Sequence, residues 1–348
     1  MKPLGYSVGA YGDMITDAVR MDAYDAALRS AVGPGSTVID IGAGTGIFSL
    51  LACRYGAACV IAVEPDSAIE VARASAAANG CADRIQFFQG VSTDLKIEQP
   101  ADVIVSDLRG ILPLLQFHIP SIIDARERLL KAGGSLVPQR DRIWATIVEA
   151  PKIYEPFASP WQSNPFDLDL SAGHPHVVNQ WMKAQLRPEQ FLAVPQVLAD
   201  LDYRTITNPN MANDIEWSAI RNGVVHGLCL WFDTELLGEI GFSNAPGRPE
   251  AIYGQAFFPM EKSVAVGQGD RVEARVRADL LDGDYVWSWN TRFHRAGEPQ
   301  PHVSFDQSTF RSLVLSPSAL KHRSSGHVPA LTKQAQIDIF CLSKFGGT

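Results

Sequence analysis

Three glycines, Gly42, Gly44 and Gly46, stand in VIDIGAGTGIF between a β-branched run and an apolar helical run. Glycine there lets the backbone turn sharply and come close to a ligand, so this loop, with Thr45 and Ile47, is expected to cradle a small molecule. Eighteen residues past Gly46, at the end of CVIAVE, Glu64 offers a carboxylate that can accept hydrogen bonds from two ribose hydroxyls. Gly90-Val91-Ser92-Thr93 ends a third apolar run where a base edge would lie, which nominates Ser92 and Thr93. The dinucleotide fingerprint G-x-G-x-x-G would need glycine at the position of Ile47, so a pyrophosphate cradle is not expected.

A second group of chemically capable residues follows a fourth apolar run. Asp107 and Arg109 lie in SDLRG, and Gln116 and His118 in the next turn. His118 has two readings: a general base, or a side chain packing at the Ile119-Pro120 turn. Asp40, inside the first strand, is expected to order the glycine loop through backbone hydrogen bonds rather than touch the substrate. His226 reads as structural, and His174 and His176 flank Pro175 without a third ligand, so no metal site is expected. Tyr6 and Tyr11 precede the first long helix and read either as a cover over the loop or as packing aromatics.

These residues need a frame that brings strand ends together. Residues 14–31 carry helical periodicity closed by Gly33-Pro34-Gly35. TVIDIG, CVIAVE, RIQFFQG and ADVIVSD read as buried strands, separated by helices near Phe48–Tyr55 and Ala68–Asn79 and followed by one near Ser121–Lys131. That alternation predicts an α/β fold with a doubly wound, Rossmann-like parallel sheet over residues 1–138. Beyond Pro138 the pattern changes to RIWATIVEA, VVHGLCLWFDTEL, SVAVGQGDRVEARVRADL and YVWSWNTRF, which predicts a β-barrel or sandwich domain over 139–316. Trp231, Trp287 and Trp289 read as its core. Residues 165–195 form an irregular interruption, and 317–348 a C-terminal appendage with an amphipathic stretch.

Composition narrows the class. The 348 residues are 46% hydrophobic and 20% charged, with a formal charge of −8. An acidic chain with no dense Lys/Arg stripe argues against a nucleic-acid partner and mildly favours a cationic substrate. No apolar run reaches the roughly 18 residues of a membrane span, and MKPLGYSVGAYGDM does not read as a secretion signal. Five scattered cysteines without C-x-x-C spacing fit a reducing cytoplasm.

The G-x-G-x-G loop after VIDI is similar to that of class I methyltransferases, and further segments resemble the protein arginine methyltransferases over roughly residues 6–315. Met14-Ile15-Thr16-Asp17-Ala18-Val19-Arg20 with Tyr24 resembles that family's N-terminal M-L-x-D-x-x-R-x-x-x-Y. Ser106-Asp107-Leu108-Arg109-Gly110 sits where the family has S-E-x-M-G, and VVHGLCLWFDTELLGEIGFSNAP is similar to its V-H-A-L-V-x-Y-F…F-S-T-x-P segment. The resemblance implies S-adenosyl-L-methionine as cofactor, with Arg20 on its carboxylate and Met14 near its sulfur. It places Asp107 and Gln116 at the family's two glutamates, Arg109 at a substrate-side methionine, and Ala251, Ile252 and Tyr253 at a threonine–histidine–tryptophan loop. Asp107 keeps the charge with a shorter reach, whereas Gln116 loses it. The implied activity is methyl transfer to a guanidino or amine nitrogen of a free amino acid, small metabolite or peptide. Transfer to oxygen or another non-guanidine acceptor, and a cofactor-binding regulator with weak catalysis, are the alternatives. The family's dimers are joined through an arm, so a homodimer is expected, with residues 165–195 as the arm.

Overall fold

The computed structural model describes residues 6–163 and 165–313, so the appendage expected over 317–348 lies outside the described residues. The chain opens with α1 (Val8–Thr16) and α2 (Ala18–Ala31), then β1 (Thr37–Ile41), α3 (Ile47–Arg54), β2 (Cys59–Val63), α4 (Ile69–Ala78), β3 (Ile85–Phe88), β4 (Ala101–Ser106), α5 (His118–Asp124) and β5 (Leu130–Val137). There follow β6 (Arg140–Val148), α6 (Pro151–Ala158), α7 (His174–Val178), β7 (Met182–Ala184), β8 (Gln196–Asp202) and β9 (Met211–Ser218). The last strands are β10 (Gly223–Leu237), β11 (Ile240–Ser243), β12 (Gln255–Val266), β13 (Arg271–Leu281), β14 (Asp284–His294) and β15 (Val303–Ser308). Two compact units emerge. One holds residues up to 144, 197–209 and 231–254; the other holds 145–196, 210–230 and 255 onward.

The first unit contains a five-stranded parallel sheet in the order β3-β2-β1-β4-β5. Val38 of β1 stands opposite Val60 of β2 on one side and Val103 of β4 on the other. Strands lined by Val and Ile on both faces suit a sheet covered by helices, and Val38, Val60, Ala62, Val103 and Val105 are buried with Tyr24, Leu28 and Phe48 from α2 and α3. The chain order runs outward in both directions from β1 and β4. The crevice at their carboxyl ends is therefore the expected ligand position of such a sheet.

Four local departures from the sequence reading have simple causes. The single helix expected over 14–31 is two, because Asp17 leaves helical geometry and caps α2 by accepting from the Arg20 N–H at 3.2 Å. The helix expected through Lys131 ends earlier: α5 passes into a π-helical turn at Ala125–Leu129, and Lys131 to Gly134 run as β5 beside β4. The stretch SVAVGQGDRVEARVRADL holds two strands, turned at Gly267–Gly269. The strands β8, β9, β11 and β15 were not expected.

In the second unit, β15-β14-β13-β9 form an antiparallel sheet, and β7, β12 and the first half of β10 pair antiparallel. Trp217, Trp287 and Trp289 lie buried in this unit, and the Trp289 indole donates to the Pro259 carbonyl at 2.9 Å. Residues 165–195 are short helical turns around α7 and β7. Among the described residues these strands form an antiparallel-sheet domain, as expected, in which no strand path closes on itself into a barrel. Alternating burial along a strand is common to open sheets and barrels, so the pattern could not separate them.

Candidate active site

The glycine loop leaves β1 at its carboxyl end. Gly42, Gly44 and Gly46 have φ of 75°, 53° and 86°, where a side chain would be strained. A Cβ on Gly46 would stand 2.8 Å from the Ala72 Cβ, so this glycine lets α3 pack on α4. A Cβ on Gly44 would meet the Tyr11 ring at 2.3 Å, and one on Gly42 the Leu108 side chain at 2.4 Å. Thr45 is buried and Ile47 half-buried at the start of α3. Asp40 accepts from the Ser49 hydroxyl at 2.7 Å, which ties β1 to α3, and its other oxygen has no partner among the described residues. Burial pushes its carboxyl up to about 7, with Ser49 opposing.

Glu64 is buried at the end of β2. One oxygen accepts from the Gly44 N–H and the other from the Asp66 N–H, each at 2.9 Å. The acid and the loop expected to share a ligand are thus directly bonded. Burial raises the Glu64 carboxyl despite these two donors. Ser92 is buried and its carbonyl accepts from Arg128 at 2.8 Å, while Thr93 is exposed. Tyr11 lies over Gly44, and Tyr6 meets it edge-on at 6.0 Å between ring centroids. Both hydroxyls are raised, first by burial; the next cause is the charge of Glu64 for Tyr11 and of Asp107 for Tyr6. The short segment from Tyr6 into α1 therefore bears on both acids.

Asp107, just past β4, is the electrostatic centre. Its Oδ2 accepts from the Arg20 Nε at 2.6 Å and the Tyr253 hydroxyl at 2.7 Å, and its Oδ1 from the Arg109 Nε at 3.2 Å. Burial alone would raise this carboxyl, but Arg20 and Arg109 outweigh burial and hold it below the usual carboxylate range. Met14 supplies its carbonyl to Arg20 at 3.2 Å. Asp17 uses one oxygen to cap α2 and the other to accept from the Ile252 N–H at 2.7 Å, so the 251–253 segment and Arg20 are placed by the same residue.

Arg109 was expected to face a substrate; its side chain is instead fully buried among protein partners. It donates to Asp141 at 2.9 Å, to the Thr234 hydroxyl at 2.7 Å and to the Tyr24 hydroxyl at 2.7 Å. Tyr24 in turn donates to the Ser106 carbonyl at 2.9 Å. His118 is buried with its Nε2 3.1 Å from the Tyr203 hydroxyl, which donates to Asp141 at 2.6 Å. Burial, then the Arg109 charge, lowers His118 to about 3, so it stays neutral and is a weak base. Gln116 is exposed with φ 44°, and no hydrogen bond joins it to Asp107 among the described residues. Asp141, Thr234 and Tyr203 escaped the sequence reading. None of the three carried a local signal, since Asp141 stands in the sequence between Arg140 and Arg142 like any charged residue of a polar stretch.

A family model described as ribosomal protein L11 methyltransferase matches residues 15–145, and one described as arginine methyltransferase oligomerization subdomain matches residues 139–293. A probable protein arginine N-methyltransferase 6 of Arabidopsis thaliana is 28% identical over 240 residues, 66% of this chain and 55% of that protein, so the match spans just over half of that relative. An arginine N(omega)-methyltransferase of Streptomyces achromogenes subsp. streptozoticus is 29% identical over 275 residues, 76% of this chain and 74% of that protein. The Trypanosoma brucei PRMT1 enzyme-prozyme complex with AdoHcy shares the fold, with TM-score 0.78 and 21% identity over 87% of this chain and 98% of that one. The chain is an S-adenosylmethionine-dependent methyltransferase, similar in both halves to the arginine methyltransferases.

The methyltransferase has a site chemistry that fits this cofactor. Gly42 and Gly44 form a cradle that a Cβ would fill, and Glu64 is a buried acid bonded to that cradle. The guanidinium of Arg20 stands within reach of Asp107 and of α1. Among the described residues, no group of three His, Cys, Asp or Glu side chains stands together to hold a metal, and no helix is long and apolar enough to cross a membrane.

Proposed function

We propose that the methyltransferase moves a methyl group from S-adenosylmethionine to a guanidino or amine nitrogen of a free amino acid, small metabolite or peptide. The observation that carries this reading is the buried Asp107, its carboxyl held below the usual range by Arg20 and Arg109 and bonded to Arg20 on the helix that follows the loop cover. The Streptomyces arginine methyltransferase, similar over most of both chains, supports a nitrogen acceptor.

When bound, S-adenosylmethionine supplies an electrophilic methyl group. In this reading the glycine loop holds the cofactor with Met14, Arg20 takes its carboxylate, Glu64 its ribose hydroxyls, and Ser92 and Thr93 flank its adenine. Asp107 accepts an N–H of the acceptor and aims the nitrogen lone pair; Gln116 closes the acceptor side. Methyl transfer is an in-line displacement, so fixed orientation supplies much of the rate. Tyr6 and Tyr11 exclude water above the loop.

The test is transfer of labelled methyl to free arginine, arginine-containing peptides and a pool of small amines. Label on a nitrogen of any of them supports the reading; label confined to oxygen acceptors overturns it. We further propose that the protein acts as a homodimer, with residues 165–195 as the arm. A monomer by light scattering across micromolar concentrations would contradict that.

A further inference from the structure

The guanidinium of Arg109 is a cation built into the site. Four aromatic rings surround it, with its central carbon 5.3 Å from the Phe232 centroid, 5.5 Å from Phe242 and 5.8 Å from Tyr24 and Tyr253. Such a cage favours a cation that has lost its water. Asp141, Thr234 and Tyr24 fix its terminal nitrogens, leaving the Nε to reach Asp107. Five donors in a rigid fork make this geometry specific to arginine.

The charges around this cluster already balance. Asp107 and Asp141 supply two negative charges, and Arg20 and Arg109 two positive ones. Among the described residues, Asp107 Oδ2 takes two donors and Oδ1 takes Arg109 alone. A carboxylate oxygen has two lone pairs, so Oδ1 has room for one acceptor N–H. A guanidinium arriving there would bring a further positive charge to a carboxylate shared between two cations, at a buried position where like charges repel strongly. An uncharged donor meets no such repulsion.

We propose that Arg109 is a specificity-determining positioning residue, which makes the site accept a nitrogen that carries no charge at neutral pH, such as an aromatic amine or an amide-like nitrogen, and reject a guanidinium cation. This narrows the reading above and rests on its placement of Asp107 at the acceptor. Arg109 does not touch the acceptor; it acts through Asp107.

The experiment is calorimetric binding of arginine and of citrulline, its uncharged isostere, to the full chain loaded with S-adenosylhomocysteine. It reads no turnover, so its outcome is separate from that of the transfer assay. The unaltered protein should bind citrulline at least as tightly as arginine. In Arg109→Met, whose side chain suits an apolar cage, the arginine-to-citrulline affinity ratio should rise by about tenfold or more, the scale of one charge-assisted hydrogen bond. Arg109→Lys keeps the charge and should hold the ratio near that of the unaltered protein. Should Arg109→Met fail to fold, Arg109→Met with Asp141→Asn removes the stranded charge and serves in its place. A ratio unmoved by the loss of the cation, including no binding of either ligand, overturns the proposal. So does arginine binding tenfold tighter than citrulline before any substitution.

Discussion

The Arg20 Nε lies 2.6 Å from Asp107 Oδ2, joining the first turn of α2 to the end of β4 across 87 residues of sequence. That bond couples the residue assigned to the cofactor with the residue assigned to the acceptor. In the proposed reading, one guanidinium would serve both the cofactor carboxylate and Asp107.

Asp107→Asn should lower turnover by about a hundredfold or more, the usual scale for a lost site charge. Cofactor affinity should change by no more than about threefold, because Arg20 remains. Arg20 would lose its counter-charge and Arg109 one of its two, so stability should also fall by about 3–5 kcal/mol. Turnover with saturating acceptor, cofactor calorimetry and urea melts measure the three effects. Unchanged turnover would remove Asp107 from the mechanism.

Arg20→Gln should weaken cofactor binding by about ten- to a hundredfold, the range for a lost charge-assisted hydrogen bond. Calorimetry with S-adenosylhomocysteine checks this. An affinity within twofold of the starting protein would move the cofactor carboxylate to another partner.

Gly44→Ala should abolish cofactor binding while the parallel sheet survives. The added Cβ would meet the Tyr11 ring at 2.3 Å and force a side chain into φ 53°. Far-ultraviolet circular dichroism reads the fold, and calorimetry the binding. Should the alanine protein bind normally, Tyr11 would not be the cover of this loop.

Asp40 provides a pH signature. Its folded carboxyl is raised from 3.8 to about 7 by burial, so the folded state holds a proton that the unfolded chain releases. The associated stability is complete below about pH 3.8 and is lost as the pH climbs through about 7. Asp40→Asn, which keeps an acceptor for Ser49, should therefore gain on the parent as pH rises from 5 to 7, with the difference levelling above 7. Urea midpoints at pH 5, 6, 7 and 8 give the comparison; parallel curves would show that Asp40 does not titrate there.

Loss of the Tyr203 hydroxyl offers a structural control. Tyr203→Phe strips Asp141 of a 2.6 Å donor and His118 of its partner in a fully buried place. A cost of about 1–3 kcal/mol is expected from the stranded acceptors, read as a lower urea midpoint. No change in midpoint would mean that water replaces the hydroxyl.

Much of the cofactor half was legible in the amino-acid string because its signals are local. A glycine at positive φ, a β-branched strand before it and an acid at the next strand end are set by neighbours in the chain, and Gly42, Gly44, Gly46 and Glu64 lie together as that spacing implied. The alternation of strands and helices likewise dictated the parallel sheet. The substrate side was not legible in the same way. Sequence placed Arg109 two residues from Asp107 but could not say which way its side chain turned. That depends on Asp141, Thr234, Tyr24 and three further aromatic rings, partners drawn from α2, β6, β10, β11 and the 251–253 segment. Burial decides the matter: an arginine removed from water must find every counter-charge inside the protein, and only the tertiary structure brings those partners to it.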